Sequence, residues 1–544
     1  MRIILLSVIV VCAGVHALSY VYVSSDDAFI SLRYARNLAE GHGLRYNAGE
    51  PPVEGLSNPL FSTCNAILIA AGLPPVWAMK LVGWVSYLGA VALLPRLVRA
   101  YDDPPRAAWP VAAAALLAAS AFPAVWAVAG LETGFHCFLI VLGVVTAVGE
   151  CQRGSVRWSP VVFCLIAANR PEAVMLGITV FVVQWCLIPA KRNLLIAWFV
   201  GMVLPCAILL GLRFFYYGML VPNTYTVKAL FGSSATRRGG AYLLGFVLSG
   251  GYWVAVPALL GCCTVLVRRI REPFVAVPLS IIACHAVFVV LVGGDFMPGY
   301  RFVMPVYPLL CALAASSVAA LTQKIPAVPA RVPGTCVMAI LCAGSYLSQS
   351  AGLLSHSRRS WFMHDRPWPT YLTQTDVKGT WLGGHQAVAD YVRPRSGPED
   401  LLAVTEAGVM PFFSRLPVLD MLGLNDRTVA TLWRGRPGEN VPADQATLEV
   451  LQRVWAERLR TVATHILSRD PRWIVLDGHF HPITGKFVPR LDIGKTLMQR
   501  VAWRSYRQVF TATVYEARWS ETGLIQRVNV VFERKGPAIR VPRP

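Results

Sequence analysis

The strongest constraint on this chain is a series of about eleven apolar stretches in residues 1–354, most of them near the ~20 residues that a bilayer-spanning helix needs. They lie near 3–22, 76–97, 108–129, 134–149, 159–169, 172–189, 193–214, 241–267, 274–293, 302–321 and 334–353. The fifth and sixth are short and flank Asn169-Arg170-Pro171-Glu172, so they read as a broken pair. Residues 59–72 are apolar but short, which favours an interfacial or re-entrant helix. Only 15% of the 544 residues are charged, against about a quarter in soluble chains, and this excludes an ordinary cytosolic enzyme.

The formal charge of +20 does not point to nucleic acid, because much of the surplus sits in short loops between apolar runs instead of on one soluble face. Arg2, Arg96, Arg99, Arg106, Arg153, Arg157, Lys191, Arg192, Arg268, Arg269, Arg271, Lys324 and Arg331 occupy alternate connections. By the positive-inside rule those connections are cytoplasmic. The first stretch reads as a retained span, since no small-residue cleavage site precedes the acidic loop after it. An odd number of spans then puts the carboxy-terminal part outside. All thirteen Cys lie at or before Cys342, in or beside apolar runs, and none makes a C-x-x-C pair. They are expected to act as small hydrophobes.

From residue 355 the composition turns mixed and polar. Residues 400–404 and 472–476 read as buried strands, 384–392 and 446–460 as helices, and 506–515 with 526–533 as a closing antiparallel pair. The expected architecture is an α-helical polytopic membrane protein, 1–354, with an extracytoplasmic α/β domain, 355–544.

The outward connections hold the chemistry. The first, 24–58, carries Asp26 and Asp27 directly after a span, then Arg33, Arg36, Glu40, His42, Glu50 and Glu54. Others contain Glu132, then Asn169, Arg170 and Glu172, then Arg213, Asn223 and Lys228, then Asp295 and Arg301. All five fall on one side, so they can converge on a pocket holding both signs of charge. Carboxylates as bases and guanidiniums as anion clamps suit transfer of a group away from a phosphate leaving group. No nucleotide pool exists outside the cytoplasmic membrane, so an activated donor there must be carried on a lipid.

The strings Asp26-Asp27-Ala28-Phe29-Ile30-Ser31-Leu32-Arg33-Tyr34, Gly41-His42-Gly43-Leu44, Val53-Glu54-Gly55-Leu56-Ser57-Asn58-Pro59-Leu60, Gly130-Leu131-Glu132-Thr133, Asn169-Arg170-Pro171-Glu172 and Gly293-Gly294-Asp295 resemble the GT-C membrane glycosyltransferases. Within these, the chain is most similar to the family of terminal β-(1→2) arabinofuranosyltransferases. The likeness runs on through Val404-Thr405-Glu406-Ala407-Gly408 and Asp420-Met421-Leu422-Gly423-Leu424-Asn425-Asp426.

The resemblance implies a GT-C fold in a bacterial cytoplasmic membrane, an inverting transfer of a sugar, arabinofuranose in the family it is most similar to, from a polyprenyl-phosphate donor, and a cell-wall glycan acceptor. It also implies a catalytic Asp in the first outward loop, which maps onto Asp26 or Asp27. Arg170, Arg213, Lys228 and Arg301, each at the outer end of a span, are the candidates for the donor phosphate. Arg33, His42, Glu54, Asn58, Glu132, Glu172, Asn223 and Asp295 are candidates for the sugar or acceptor, with Glu132, Glu172 and Asp295 alternatively fixing the arginines. A divalent cation, Mg or Mn, is compatible with the carboxylate pair but not demanded by it. His385, His479 and His481 show no metal-ligand spacing and stay unassigned. Glu406, Asp420, Asn425 and Asp426 either face an acceptor or serve turns, and Trp361, Trp368 and Trp381 form a sugar platform or an interfacial belt. The alternatives are the same donor chemistry with a lipid or protein acceptor and, in a different class, a transporter of lipid-linked sugars. A transporter would be expected to show internal repeats, and none is apparent.

Overall fold

A computed structural model describes residues 2–98, 109–220, 222–224, 233–264, 269–322, 331–354, 375–433, 448–481, 484, 486–515, 519–520, 523–524 and 527–536. Every expected apolar stretch is helical. Among the described residues seven helices are long and apolar enough to cross a membrane, or eight if one bent pair counts as a single span. Arg2–Leu18, Ser159–Asn169 and Pro171–Leu187 are apolar but shorter, as is Pro59–Ala70. The chain is a multi-pass membrane protein.

The first nine helices are α1 (Arg2–Leu18), α2 (Asp26–Ala39), α3 (Pro59–Ala70), α4 (Pro75–Leu93), α5 (Trp109–Ala119), α6 (Ala121–Val128), α7 (Thr133–Arg153), α8 (Ser159–Asn169) and α9 (Val174–Leu187). The stretch expected as one span near 108–129 is instead α5 and α6, bent by 65° at Ser120. A break inside apolar surroundings leaves backbone groups unpaired, and these must find partners within the protein. Gln349 supplies one of them: its Oε1 accepts the Phe122 amide at 3.1 Å, while its Nε2 is fixed by donating to the Tyr307 hydroxyl at 2.7 Å and to Ser345 Oγ at 2.9 Å.

Residues 26–39, part of what reads as an outward loop, form helix α2. Asp26 and Asp27 lie in its first turn, where negative charge is favoured by the helix dipole. Ten of its fourteen residues are buried, Arg33, Arg36 and Asn37 among them.

The carboxy-terminal unit is built on a mixed sheet in the order β2-β1-β3-β8-β5, with β4 on β3. The strands are β1 (Leu402–Val404), β2 (Val418–Asp420), β3 (Trp473–Phe480), β4 (Phe487–Pro489), β5 (Tyr506–Tyr515) and β8 (Arg527–Arg534), while β6 (Trp519–Ser520) and β7 (Gly523–Leu524) pair separately. β1 is parallel to β2 and β3, and β8 is antiparallel to β3 and β5. The strands and helices expected near 400–404, 472–476, 384–392, 446–460, 506–515 and 526–533 are present within a few residues.

Side chains alternate across a strand, and this splits the core in two. Ala403, Leu419, Ile474 and Val530 pack against Val462 and Ile466 of the Leu448–Ser468 helix. Leu402, Val404, Val475 and Val531 pack with Val388 and, from the other end of the chain, Ile30, Tyr34, Tyr46 and Leu56. The segment that follows α1 is thus part of the hydrophobic core of the carboxy-terminal unit.

Candidate active site

The turn before α2 is held by groups that sequence reasoning missed. Lys80, on α4 and 5% exposed, donates to Val23 O at 2.8 Å, Ser24 Oγ at 2.9 Å and Val128 O at 2.9 Å. The Ser25 amide donates to Ala129 O at 3.2 Å, and Trp381 Nε1 donates to Ser24 O at 2.9 Å. Trp381 is therefore committed to this turn. A lone lysine in an apolar helix was the available signal for Lys80.

The two aspartates diverge. Asp26 accepts from the Gly408 amide on Oδ2 at 3.1 Å and from the Val409 amide on Oδ1 at 2.9 Å, which ties α2 to the first turn of the Val409–Ser414 helix. Burial, partly relieved by His385 and reinforced by Glu406, pushes its pKa up to about 6. Asp27 lies four residues before Ser31, and such positions share a helix face. Ser31 Oγ donates to Asn58 Oδ1 at 2.8 Å, and Asn58 Nδ2 donates to Glu132 Oε2 at 2.6 Å.

That relay ends in a cleft lined by Glu132, His136, Arg170, Glu172, His285, Arg301 and the rings of Phe288 and Phe302. Arg170 donates to Glu132 at 2.7 Å and to Glu172 at 2.6 Å; Arg301 pairs with Asp295 at 2.8 Å. Both guanidiniums lie beside the Phe302 ring, 6.0 and 5.1 Å from its centroid. Burial alone would raise the pKa of Glu132, but Arg170, Arg301 and the Asn58 amide outweigh it and hold it down to about 2. Three carboxylates thus meet two guanidiniums, so the cations are already compensated. His136 and His285 were also missed. The first pairs through Nδ1 with Asn169 at 3.2 Å, the second through Nε2 with Phe302 O at 2.7 Å.

The other expected residues are placed differently. Arg213 grips Glu54 with two bonds, 2.9 and 2.8 Å, and the Asn223 amide donates to Glu54 O at 3.0 Å. This ion pair is distinct from those that Arg170 makes with Glu132 and Glu172 and Arg301 with Asp295. Asn223 and Asn58 are buried, His42 is exposed, and Lys228, Trp361 and Trp368 lie outside the described residues. Arg33, expected at the sugar, is 4% exposed and donates to Tyr46 O, Asn47 Oδ1, Leu416 O and Pro411 O at 2.8, 3.0, 2.8 and 2.5 Å. Together with Arg36, which donates to Phe412 O at 2.8 Å, it satisfies carbonyls left over where the short Val409–Ser414 helix ends.

Behind Asp26, His385 Nε2 pairs with Glu406, which also meets Arg527 and Arg490; both arginines pair with Asp477 as well. Asp420 accepts from the Leu422 and Asn425 amides at 3.0 and 2.9 Å, which makes it a turn-former. Among the described residues no group of three His, Cys, Asp or Glu could hold a metal ion, and both oxygens of Asp26 are already engaged by amides.

Residues 373–530 match a family model described only as a domain of unknown function, DUF8728. A terminal β-(1→2)-arabinofuranosyltransferase of Corynebacterium glutamicum is 27% identical over 325 residues, 53% of this chain and 47% of that protein. The matched part thus spans about half the length of the curated relative. Crystal structures of ArnT from Cupriavidus metallidurans, one in the apo state and one bound to undecaprenyl phosphate, each align over 97% of both chains with a TM-score of 0.54 at 14% identity. The chain has the fold of the GT-C membrane glycosyltransferases and is related in sequence to a terminal arabinofuranosyltransferase.

Proposed function

We propose that this protein is an inverting glycosyltransferase that moves a sugar, arabinofuranose in the first instance, from a polyprenyl-phosphate donor to a cell-wall glycan on the outer face of a bacterial cytoplasmic membrane. The observation that supports the reading is the Asp26-Asp27 pair in the first turn of α2, a helix bonded to the carboxy-terminal unit through Asp26 and to Glu132 of the Arg170/Arg301 cleft through Ser31 and Asn58. In this reading residues 1–354 carry the catalytic pair, and 355–544 align it and receive the acceptor.

Asp27 is the base. Asp26 spends both oxygens on backbone amides, which fix it in place as an anchor. The Asp27 carboxylate takes the proton of an acceptor hydroxyl, whose oxygen attacks the anomeric carbon from the face opposite the phosphate. The bond from that carbon to the phosphate oxygen breaks, and polyprenyl phosphate leaves with the electron pair. Arg170 and Arg301 stabilise the charge that develops there. Because their charges are already balanced, the phosphate has to take a guanidinium from a carboxylate. Glu172, with its side chain 27% exposed against 6% for Glu132, is the partner most easily displaced.

The test is transfer by purified protein supplied with a synthetic polyprenyl-phosphate arabinofuranose and an arabinose oligosaccharide, following sugar transfer and lipid phosphate release together. Transfer lost in Asp27→Asn supports the reading. Transfer only from another polyprenyl-phosphate sugar keeps the mechanism and discards arabinose, and no binding of any such lipid overturns both.

A further inference from the structure

The groups packed behind Asp26 have no place in the mechanism above. His385 is 1% exposed. Its Nε2 is held by Glu406, while its Nδ1 is buried without a hydrogen-bond partner. It lies on the Gly383–Val392 helix, edge-on to Trp381 with ring centroids 6.2 Å apart, and Trp381 bonds the residue two before Asp26. Glu406 lies two residues before Gly408, whose amide Asp26 accepts. One turn, 405–409, thus carries both the partner of His385 and the seat of Asp26.

The charge balance gives the imidazole a task. Glu406, Asp26 and Arg527 act on His385; His385, Glu406 and Asp27 act on Asp26; Arg490 and Asp477 complete the cluster. With His385 protonated, three cations meet three carboxylates apart from Asp27. With it neutral, one carboxylate is left over in a buried place, and such a charge is costly unless it is neutralised. Asp26 is the member of the three that no arginine touches in the ion pairs of this cluster.

Resting on the glycosyltransferase reading, we propose that His385, held by Glu406, is a positioning residue: its imidazolium keeps Asp26 ionised and seated on the Gly408–Val409 turn while the neighbouring Asp27 takes the acceptor proton. Burial pushes the imidazole towards neutrality, but Glu406 and then Asp26 outweigh it and hold its pKa above the ordinary 6.5. The cation is therefore present across the acid side of neutrality, where Asp26 itself titrates.

The experiment compares wild type, His385→Gln, Asp26→Asn and the double variant in the transfer assay from pH 5 to 9, alongside thermal unfolding over the same range. The expected result is that H385Q moves the acid limb of kcat upward by about one pH unit, with donor KM unchanged, and costs little more once Asp26 is already Asn. An acid limb that stays in place with a uniformly lower kcat, or an equal cost in both backgrounds, overturns the proposal. If wild type transfers no sugar, the functional reading fails and unfolding alone decides. A raised histidine pKa stabilises the fold below its unfolded value, and that contribution disappears as pH rises through the folded value. The midpoint gap between wild type and H385Q should therefore narrow from pH 6 to pH 9, and a constant gap refutes the charge role. Should H385Q not fold, D26N answers the same question. Its alkaline decline in midpoint should begin at lower pH than in wild type, and an unmoved decline refutes the link.

Discussion

Gly408 is the residue where a single methyl group tests how the two halves of the protein make one site. A Cβ built there would lie 2.0 Å from the Asp26 carbonyl oxygen and 2.6 Å from its Cγ and Oδ2. Going from 2.0 Å to the 3.4 Å of ordinary contact, Asp26 or the 405–409 turn must retreat by about 1.4 Å in Gly408→Ala. Overpacking of this kind costs about 1–3 kcal/mol. Both amide bonds to the carboxylate lengthen together, which adds about 1.5 kcal/mol or more for each one lost. The larger effect falls on the chemistry, because a displacement of about 1 Å in a catalytic array costs on the order of a hundredfold in rate.

The expectation for G408A is a folded, membrane-inserted protein whose unfolding midpoint is lowered by a few degrees and whose kcat is down about a hundredfold, with donor KM little changed. Gly49→Ala is the matched control, since a Cβ there meets nothing within 4 Å. Steady-state transfer on both variants, with circular dichroism and detergent-phase thermal unfolding, makes the measurement. A G408A protein with kcat within about threefold of wild type would refute the claim that Asp26 must sit on this turn for catalysis. Equal losses in G408A and G49A would point to a general disturbance and refute it as well.

Other expectations can be checked in the same assay. Asp27→Asn should lower kcat by about a thousandfold with an unchanged midpoint, the range for loss of a general base, whereas Asp26→Asn should lower both; the reverse pattern would exchange their roles. Arg33→Ala should destabilise by about 3 kcal/mol and expose 407–418 to hydrogen exchange, because buried carbonyls lose their donor. Arg33→Lys should fail to restore it, since an ammonium cannot replace a planar fork; full protection in either variant would show that the interface does not depend on this guanidinium. Glu172→Gln should free Arg170 for the donor phosphate and lower donor KM by about two- to threefold, and a KM that rises would make Glu172 itself a sugar ligand. Glu132, held down to about 2 from 4.5, contributes stability that is complete above pH 4.5 and is lost as pH falls towards 2, about 3 kcal/mol in all. Unfolding midpoints of wild type and Glu132→Gln should converge below about pH 3, and curves that stay parallel would refute the pairing.

What the sequence makes legible follows from what one strand of text can carry. Spans are a property of local composition, so all the apolar stretches near their expected places are helices, and the alternating Lys and Arg order the loops. The bend at Ser120 leaves almost no mark, because its compensation comes from Gln349, far along the chain. Helix α2 reads as a loop for a related reason. Hydropathy assigns Arg33 and Arg36 to water, but here they face carbonyls of residues 411, 412 and 416. The strings around Asp26, Glu132, Arg170 and Asp295 announce charge on one side of the membrane, and the pairs Arg170–Glu132 and Arg301–Asp295 are among the partnerships those residue types allow.

The division of labour proposed for Asp26 and Asp27 has no local signature at all, since the two residues are adjacent and chemically identical. They are told apart by an amide 382 positions away and by the 100° turn between neighbours on a helix, which sends Asp26 towards the Gly408–Val409 turn and puts Asp27 on the helix face of Ser31. A carboxylate pair can divide into anchor and base only if something rigid holds the anchor. In this chain that rigid element is a turn on a sheet whose own core includes Ile30, Tyr34 and Tyr46 of the segment that follows α1. The carboxy-terminal unit therefore shapes the site itself. Without it the amides that hold Asp26 are missing, and a transmembrane half expressed alone should insert into the membrane yet fail to transfer.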